Sequence, residues 1–376
     1  MKIENPFIIT GYRSENEFCN RREETAKLTS AVNNGRNVTL YSLRRMGKTG
    51  LIFHLFRMLE DSKKSTAIYC DIYQTQSLND FVKVFSNAVL RKLETKPEKF
   101  FKQTLEIFKN IRPRVSADKY TGEPLLEFAV ERSESLLPSL KEIFAYLRVK
   151  SKKGRIVIAI DEFQQITEYP EGNIEAILRS EIQSMQNVSF IYSGSKKHMM
   201  HSMFTSSSRP FYQSTEMLFL NNIKETEYAS FIESKFKDNN TKINDAAIQS
   251  ILEFTSCYTY YVQYFCNKLY SGYRSVITER SVWETANEIL NENEGIYNEY
   301  KNLMPLLQWN LLKAIAKERG IKSVTSMSFI KKYGLTAPSS INNSIKSLLD
   351  KELIYFENGK YYVYDLFFSR WLERLP

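Results

Sequence analysis

The sequence predicts an α/β protein: a doubly wound parallel sheet, then a helical segment, then a C-terminal winged helix-turn-helix. Three observations predict it. An apolar run, Val38 to Tyr41, passes through Ser42-Leu43-Arg44-Arg45-Met46 into Gly47-Lys48-Thr49 and an apolar helix. A second run, RIVIAIDEFQQ over 155–165, goes from continuous apolar residues straight into Asp161-Glu162, as a strand buried on both faces does. Near the C-terminus, two aromatic-rich runs flank Asn358-Gly359, a strong short-range hairpin signal.

The chain has 376 residues, 43% hydrophobic and 25% charged, enough for two to three soluble domains. No run approaches the roughly 18 apolar residues of a membrane span. The N-terminal MKIENPFIIT does not read as a signal peptide. Cys19, Cys70, Cys257 and Cys266 have no metal-ligand spacing, and a chain this long needs no disulfides, so a cytoplasmic location is expected. Net charge is +9; residues 301–376 hold 12 Lys+Arg against 6 Asp+Glu, so this tail is where an acidic partner would dock.

In chain order, residues 1–36 read as an entry segment and a helix from Arg22 to Asn33 that stops before Gly35. Strands follow at Val38–Tyr41, Ser65–Ile72, 155–161, 188–194 and Met217–Leu220. Helical spacing fills 78–94, 98–111 and Glu134–Lys150. The turn-rich passage 112–124, RPRVSADKYTGEP, reads as a loop. Strand patterning ceases at Lys224, and helices are expected over 225–237, 245–255, 258–271 and 279–300. The tail reads as helices at Leu306–Lys317 and Ser328–Tyr333, a third capped by Ser339 and running through Asp350, and a hairpin turning at Glu357-Asn358-Gly359. The expected domains are 1–222, 223–300 and 301–376.

The chemistry is concentrated in the first two runs. Backbone N–H groups of Ser42, Arg44, Arg45, Met46, Gly47 and Gly50, with the helix dipole, would cradle phosphate oxygens. Lys48 would reach the β- and γ-phosphates and the Thr49 hydroxyl would ligate Mg²⁺. Ser42 stands where this motif usually has its first glycine, and can turn there if its φ stays negative. Asp161 fits a partner for Mg²⁺, through water or Thr49, and Glu162 the group that polarises an attacking water. Arg44 and Arg45 either touch phosphate or are solvated loop charges. His54, His198 and His201 form no triad or metal set, and His54 on an apolar helix reads as a core histidine.

These stretches, with Phe18-Cys19-Asn20-Arg21, Tyr192-Ser193-Gly194-Ser195, SRPFYQSTEMLFL and YYVYDLFFSRWL, resemble the AAA+-related P-loop ATPases of the STAND and archaeal-ATPase group. The resemblance spans nearly the whole chain. It implies a P-loop sheet of the additional-strand type, a helical lid, a C-terminal winged helix, and ATP with Mg²⁺ as cofactors. It further implies Lys48 and Thr49 as the Walker A pair, Asp161 and Glu162 as Walker B, and Ser193 or Ser195 as a polar sensor of the γ-phosphate. Arg21 would lie near the adenine, with Asn20 replacing a glycine of that box. Arg209 would be an arginine finger or, alternatively, an ion-pairing surface residue. Cys257-Tyr258-Thr259 departs from the Gly-x-Pro of relatives' lids, and Gly50 stands where many relatives carry serine.

The expected function is Mg²⁺-dependent ATP hydrolysis coupled to conformational change and to binding of duplex DNA or protein through residues 301–376, with homo-oligomerisation open. The alternative is a nucleotide-switched DNA-binding or regulatory module with little turnover. Ser339, Ser340, Asn342, Asn343 and Lys346 would face outward from the third tail helix, suited to base edges and phosphate yet thin in positive charge.

Overall fold

The computed structural model describes residues 5–63, 65–94, 136–272 and 275–376 in full, and the backbone of 111–117 and 124–130. The chain divides into two compact units. One is Thr10–Asn222; the other joins the N-terminal residues through Ile9 to Ile223–Pro376.

The first unit holds α1 (Arg22–Asn33), β1 (Val38–Tyr41), α2 (Lys48–Asp61), β2 (Ser65–Asp71) and α3 (Leu78–Leu93). After β3 (Ile111–Ala117) and β4 (Pro124–Val130) come α4 (Leu136–Ser151), β5 (Arg155–Asp161) and α5 (Ile174–Gln183). β6 (Val188–Gly194), α6 (Lys197–Thr205) and β7 (Glu216–Phe219) complete it. Five strands form one parallel sheet in the order β2-β5-β6-β1-β7. One additional strand, β6, thus stands between β1, which leads into Lys48, and β5, which ends at Asp161, as the resemblance implies. The carboxyl ends of β1, β5 and β6 lie side by side, where open α/β sheets bind ligands.

Burial explains the continuous apolar runs. Ile156, Ile158 and Ile160 of β5 enter one buried cluster with Phe190 and Tyr192 of β6 and residues of α3, α4, α5 and α6. The alternate residues Val157, Ala159 and Ile191 are equally buried on the opposite face. Each large apolar side chain so buried is worth about 1.5–3 kcal/mol.

The passage expected to loop at 112–124 instead enters an antiparallel ladder from Ile111↔Val130 to Ala117↔Pro124. Its turn formers mislead because Ser116, Ala117 and Pro124 close the strands' inner ends, while 118–123 lie outside the described residues. The helix expected over 98–111 also lies outside them, apart from Ile111, which opens β3.

The second unit begins with α7 (Glu225–Lys237), β8 (Lys242–Ile243), α8 (Asp245–Thr255), α9 (Thr259–Ser271) and β9 (Val276–Ile277). β8 and β9 form a two-residue parallel ladder in a stretch whose sequence shows helices alone. The helix expected over 279–300 is two, α10 (Glu279–Glu292) and α11 (Glu294–Asn302). Asn293 parts them, its side-chain amide donating to the Ile289 carbonyl at 2.8 Å, a bond of the kind that competes with helix continuation.

The winged helix comprises α12 (Leu306–Lys317), α13 (Met327–Tyr333), α14 (Pro338–Asp350), the hairpin β10 (Ile354–Glu357) and β11 (Lys360–Val363), and α15 (Leu366–Arg374). The Asn358-Gly359 turn has φ of 49° and 76°, the left-handed pair a two-residue hairpin needs. Ser339 is not the cap of α14: the cap is Ala337, two residues earlier, and the helix opens at Pro338, because proline's fixed φ suits a first helical position. Among the described residues no helix is long and apolar enough to cross a membrane. The four cysteines are free and buried.

Candidate nucleotide site

The loop between β1 and α2 turns through two left-handed residues, Arg45 (φ 68°) and Gly47 (φ 90°). Ser42 keeps its φ outside that region, which explains how serine replaces glycine there. Lys48 opens α2 and is 6% exposed. Its ammonium donates to the carbonyls of Leu43 at 3.2 Å and Ser42 at 3.4 Å, closing the loop on itself. Burial pushes the Lys48 pKa below its ordinary value, while Glu162 and Asp161 pull it back up.

Arg21 braces the same loop. It is 4% exposed, and its guanidinium donates to the Met46 carbonyl at 3.1 Å and the Asn221 carbonyl at 2.6 Å while pairing with Glu24. Asn20 and Arg21 are consecutive left-handed residues (φ 53° and 62°), which aims the Arg21 side chain under the loop. Phe18 stacks on His54 of α2, with ring centroids 4.3 Å apart. A Cβ on Gly50 would sit 3.8 Å from the Phe18 ring, an ordinary contact.

Opposite the loop, the β5 end delivers the acids. Asp161 Oδ2 accepts from the Thr49 hydroxyl at 2.9 Å and from the Tyr69 hydroxyl at 2.7 Å, and Oδ1 accepts from the Glu162 N–H at 3.1 Å. Glu162 turns away from the strand at φ 54°. Its Oε2 accepts from Ser195 Oγ at 2.7 Å, the Ser195 N–H at 3.4 Å and Gln164 Nε2 at 2.5 Å. Sequence reasoning singled out neither Tyr69 nor Gln164. Strand alternation alone cannot show that β2 lies beside β5 with Asp71 opposite Asp161, the register that brings Tyr69 within reach.

The remaining candidates fall in different places. Ser193 Oγ is fully buried with no hydrogen-bond partner among the described residues, while Ser195, two residues on, touches Glu162. Arg209 pairs with Glu175 in the first turn of α5, where burial raises the Glu175 pKa and the arginine opposes the rise. The Arg44 guanidinium lies 5.7 Å from the Tyr73 ring centroid, and Arg45 is exposed.

Residues 18–265 match the family model of an ATPase domain predominantly from Archaea, about two-thirds of the chain. The chain belongs to that family. Residues 295–374 match the model of a probable winged helix domain. No functionally curated protein matches the sequence. Among solved structures, the chain is similar to the Walker-type ATPase PABY2304 of Pyrococcus abyssi, with TM-score 0.67 and 17% identity over 98% of this chain and 99% of that one. It is also similar to the ORC2 protein of Aeropyrum pernix in ADPNP–ADP complexes, with TM-score 0.59 and 14% identity over 99% and 96%. The ORC1 protein of Aeropyrum pernix in complex with DNA gives TM-score 0.50 and 14% identity over 94% and 92%. At these identities the likeness concerns the fold.

Nucleotide binding follows from the family, and the residues present suit it. A buried ammonium, a helix N-terminus and a glycine turn meet at one loop. Thr49 and Asp161 set a hydroxyl and a carboxylate side by side, a hard-oxygen pair of the kind that suits Mg²⁺ shared with phosphates.

Proposed function

We propose that the protein is a Mg²⁺-dependent ATP hydrolase whose nucleotide state is coupled to a partner, DNA or protein, through its winged helix. The observation that carries this reading is the Thr49–Asp161 hydrogen bond at the N-terminus of α2, with Lys48 and Glu162 at either hand. Bound there, Mg²⁺ would offset charge developing on the β- and γ-phosphate oxygens. Thr49 and Asp161 would hold it, Asp161 directly or through water. Lys48 would release its loop carbonyls to grip phosphate. Glu162 has one oxygen held by Ser195 and Gln164, while Oε1 has no donor among the described residues and can accept from an attacking water. Within this reading residues 1–222 act as the catalytic domain, 223–300 as the lid and 301–376 as the partner-binding domain, in a cytoplasmic protein.

Glu162→Gln should keep ATP affinity within about twofold and lower single-turnover hydrolysis by about 10²-fold or more. Lys48→Ala should abolish nucleotide binding. Unchanged hydrolysis by Glu162→Gln would remove the glutamate from this role.

A second reading, a nucleotide switch with little turnover, is favoured by the left-handed backbone and three donors that hold Glu162. A wild-type single-turnover rate no faster than that of Glu162→Gln would select it. For the winged helix, Ser339, Asn342, Asn343 and Lys346 are exposed along α14, a face suited to duplex DNA, and Ser340 is half-buried. Salt-dependent duplex affinity lost on Lys346→Glu would support DNA over protein as the partner. Arg209, paired within its own chain to Glu175, would need to leave that pair to serve a neighbouring copy in a homo-oligomer.

A further inference from the structure

The hydrogen-bond count around Asp161 gives Tyr69 a task. An ionised carboxylate offers about four lone-pair sites, two on each oxygen. Among the described residues three are in use: Thr49 and Tyr69 both donate to Oδ2, and the Glu162 N–H donates to Oδ1. The acceptor place that remains belongs to Oδ1.

Tyr69 reaches Oδ2 from a neighbouring strand. Its ring packs against Phe53 of α2, with centroids 4.7 Å apart, and lines an open groove of about 780 Å³ between α2, β2 and α3. Its backbone is fixed opposite Ala159, two residues before the acid, by the β2–β5 ladder. The hydroxyl is therefore carried by a third element, β2, and is held in place against both α2, which Lys48 opens, and β5, which ends at Asp161.

We propose that Tyr69 is a positioning residue for the metal: it closes Oδ2 of Asp161, so that Oδ1 is the oxygen that takes the cation or its bound water. This rests on the reading of Thr49 and Asp161 as the metal pair. Thr49 can keep its donation to Oδ2 while a lone pair of its oxygen ligates the cation. Tyr69 then supplies the second donor that stops the carboxylate from rotating. Without it a metal-bound water has two acceptor places, and the carboxylate loses its single orientation.

The test uses the full chain, ADP and Mn²⁺ as a paramagnetic stand-in for Mg²⁺. Tyr69→Phe keeps the ring on Phe53 and deletes the hydroxyl; Phe53→Leu disturbs the ring packing and leaves the hydroxyl. ADP affinity in a chelator should stay within twofold for both. Mn²⁺ affinity of the protein–ADP complex, read by electron paramagnetic resonance, should fall about tenfold for Tyr69→Phe and less than threefold for Phe53→Leu. An equal loss in both variants would mark Tyr69 as packing alone and overturn the proposal, as would Mn²⁺ affinity unchanged in Tyr69→Phe. Wild-type protein showing no Mn²⁺-dependent ADP binding would overturn the site reading itself; wild-type binding with an unaffected Tyr69→Phe would overturn the tyrosine alone. Thermal melting without metal confirms that each variant is folded.

Discussion

A left-handed backbone costs a residue with a side chain about 1–2 kcal/mol, and Glu162 carries one at the site's edge. The strain swings the carboxylate off the line of β5 and into the donors of Ser195 and Gln164, while Asp161, one residue earlier, stays with Thr49 and Tyr69. Two adjacent acids thereby acquire different neighbours. His54 shows residue-scale chemistry of another kind. It is buried against Phe18, shares a hydrogen bond with the Tyr12 hydroxyl, and burial lowers its pKa from the ordinary 6.5. A histidine whose folded pKa is depressed stabilises the fold above its unfolded pKa and withdraws that contribution as pH falls below it. Wild-type Tm should therefore drop more steeply between pH 6.5 and 5 than that of His54→Phe, which keeps a stacked ring and cannot titrate.

At the scale of elements, β6 ends where there is no room. A Cβ on Gly194 would fall inside the contact radii of Gln164 Oε1 and Met200. Gly194→Ala should cost about 1–3 kcal/mol in urea unfolding and, on the proposed hydrolysis, should also lower turnover, because Gln164 is a donor to Glu162. Much of the sheet was legible in the sequence: a strand buried on both faces must be continuously apolar, and a glycine-lysine-threonine helix start after such a strand has a specific meaning. What stayed hidden needed register. Tyr69 looks like any β-forming residue until β2 is laid against β5, and Ser195 outranks Ser193 at Glu162 only once the strand end is seen. The β3–β4 ladder was masked by its own composition, since Pro113 and Pro124 read as breakers although both sit within it.

At the scale of the whole molecule, the winged helix is fastened to the helices that precede it by a buried arginine. Arg370 of α15 is 7% exposed and donates to the Phe254 carbonyl at 3.0 Å, the Glu253 carbonyl at 2.9 Å and Ser256 Oγ at 3.1 Å. Those carbonyls belong to the last turn of α8, where the Glu253 carbonyl also accepts from the Ser256 N–H at 3.3 Å and where the negative end of the helix dipole lies. Phe367 packs against Phe254 and Tyr261 beside it. Arg370→Met should cost about 3 kcal/mol or more, and Arg370→Lys should not restore it, because an ammonium cannot reproduce the planar fork. Urea unfolding of both variants checks this.

The N-terminus has a consequence of timing. Asn5 donates to the Asn267 carbonyl, 262 residues away, and Asn267 answers by donating to the Phe7 carbonyl, while Phe7 lies fully buried near Phe231, Phe236 and Tyr270. On the ribosome these first residues emerge before their partners exist, and the entire sheet is synthesised in between. Closure of the second unit is therefore a late step, one that waits on a segment made before the whole sheet.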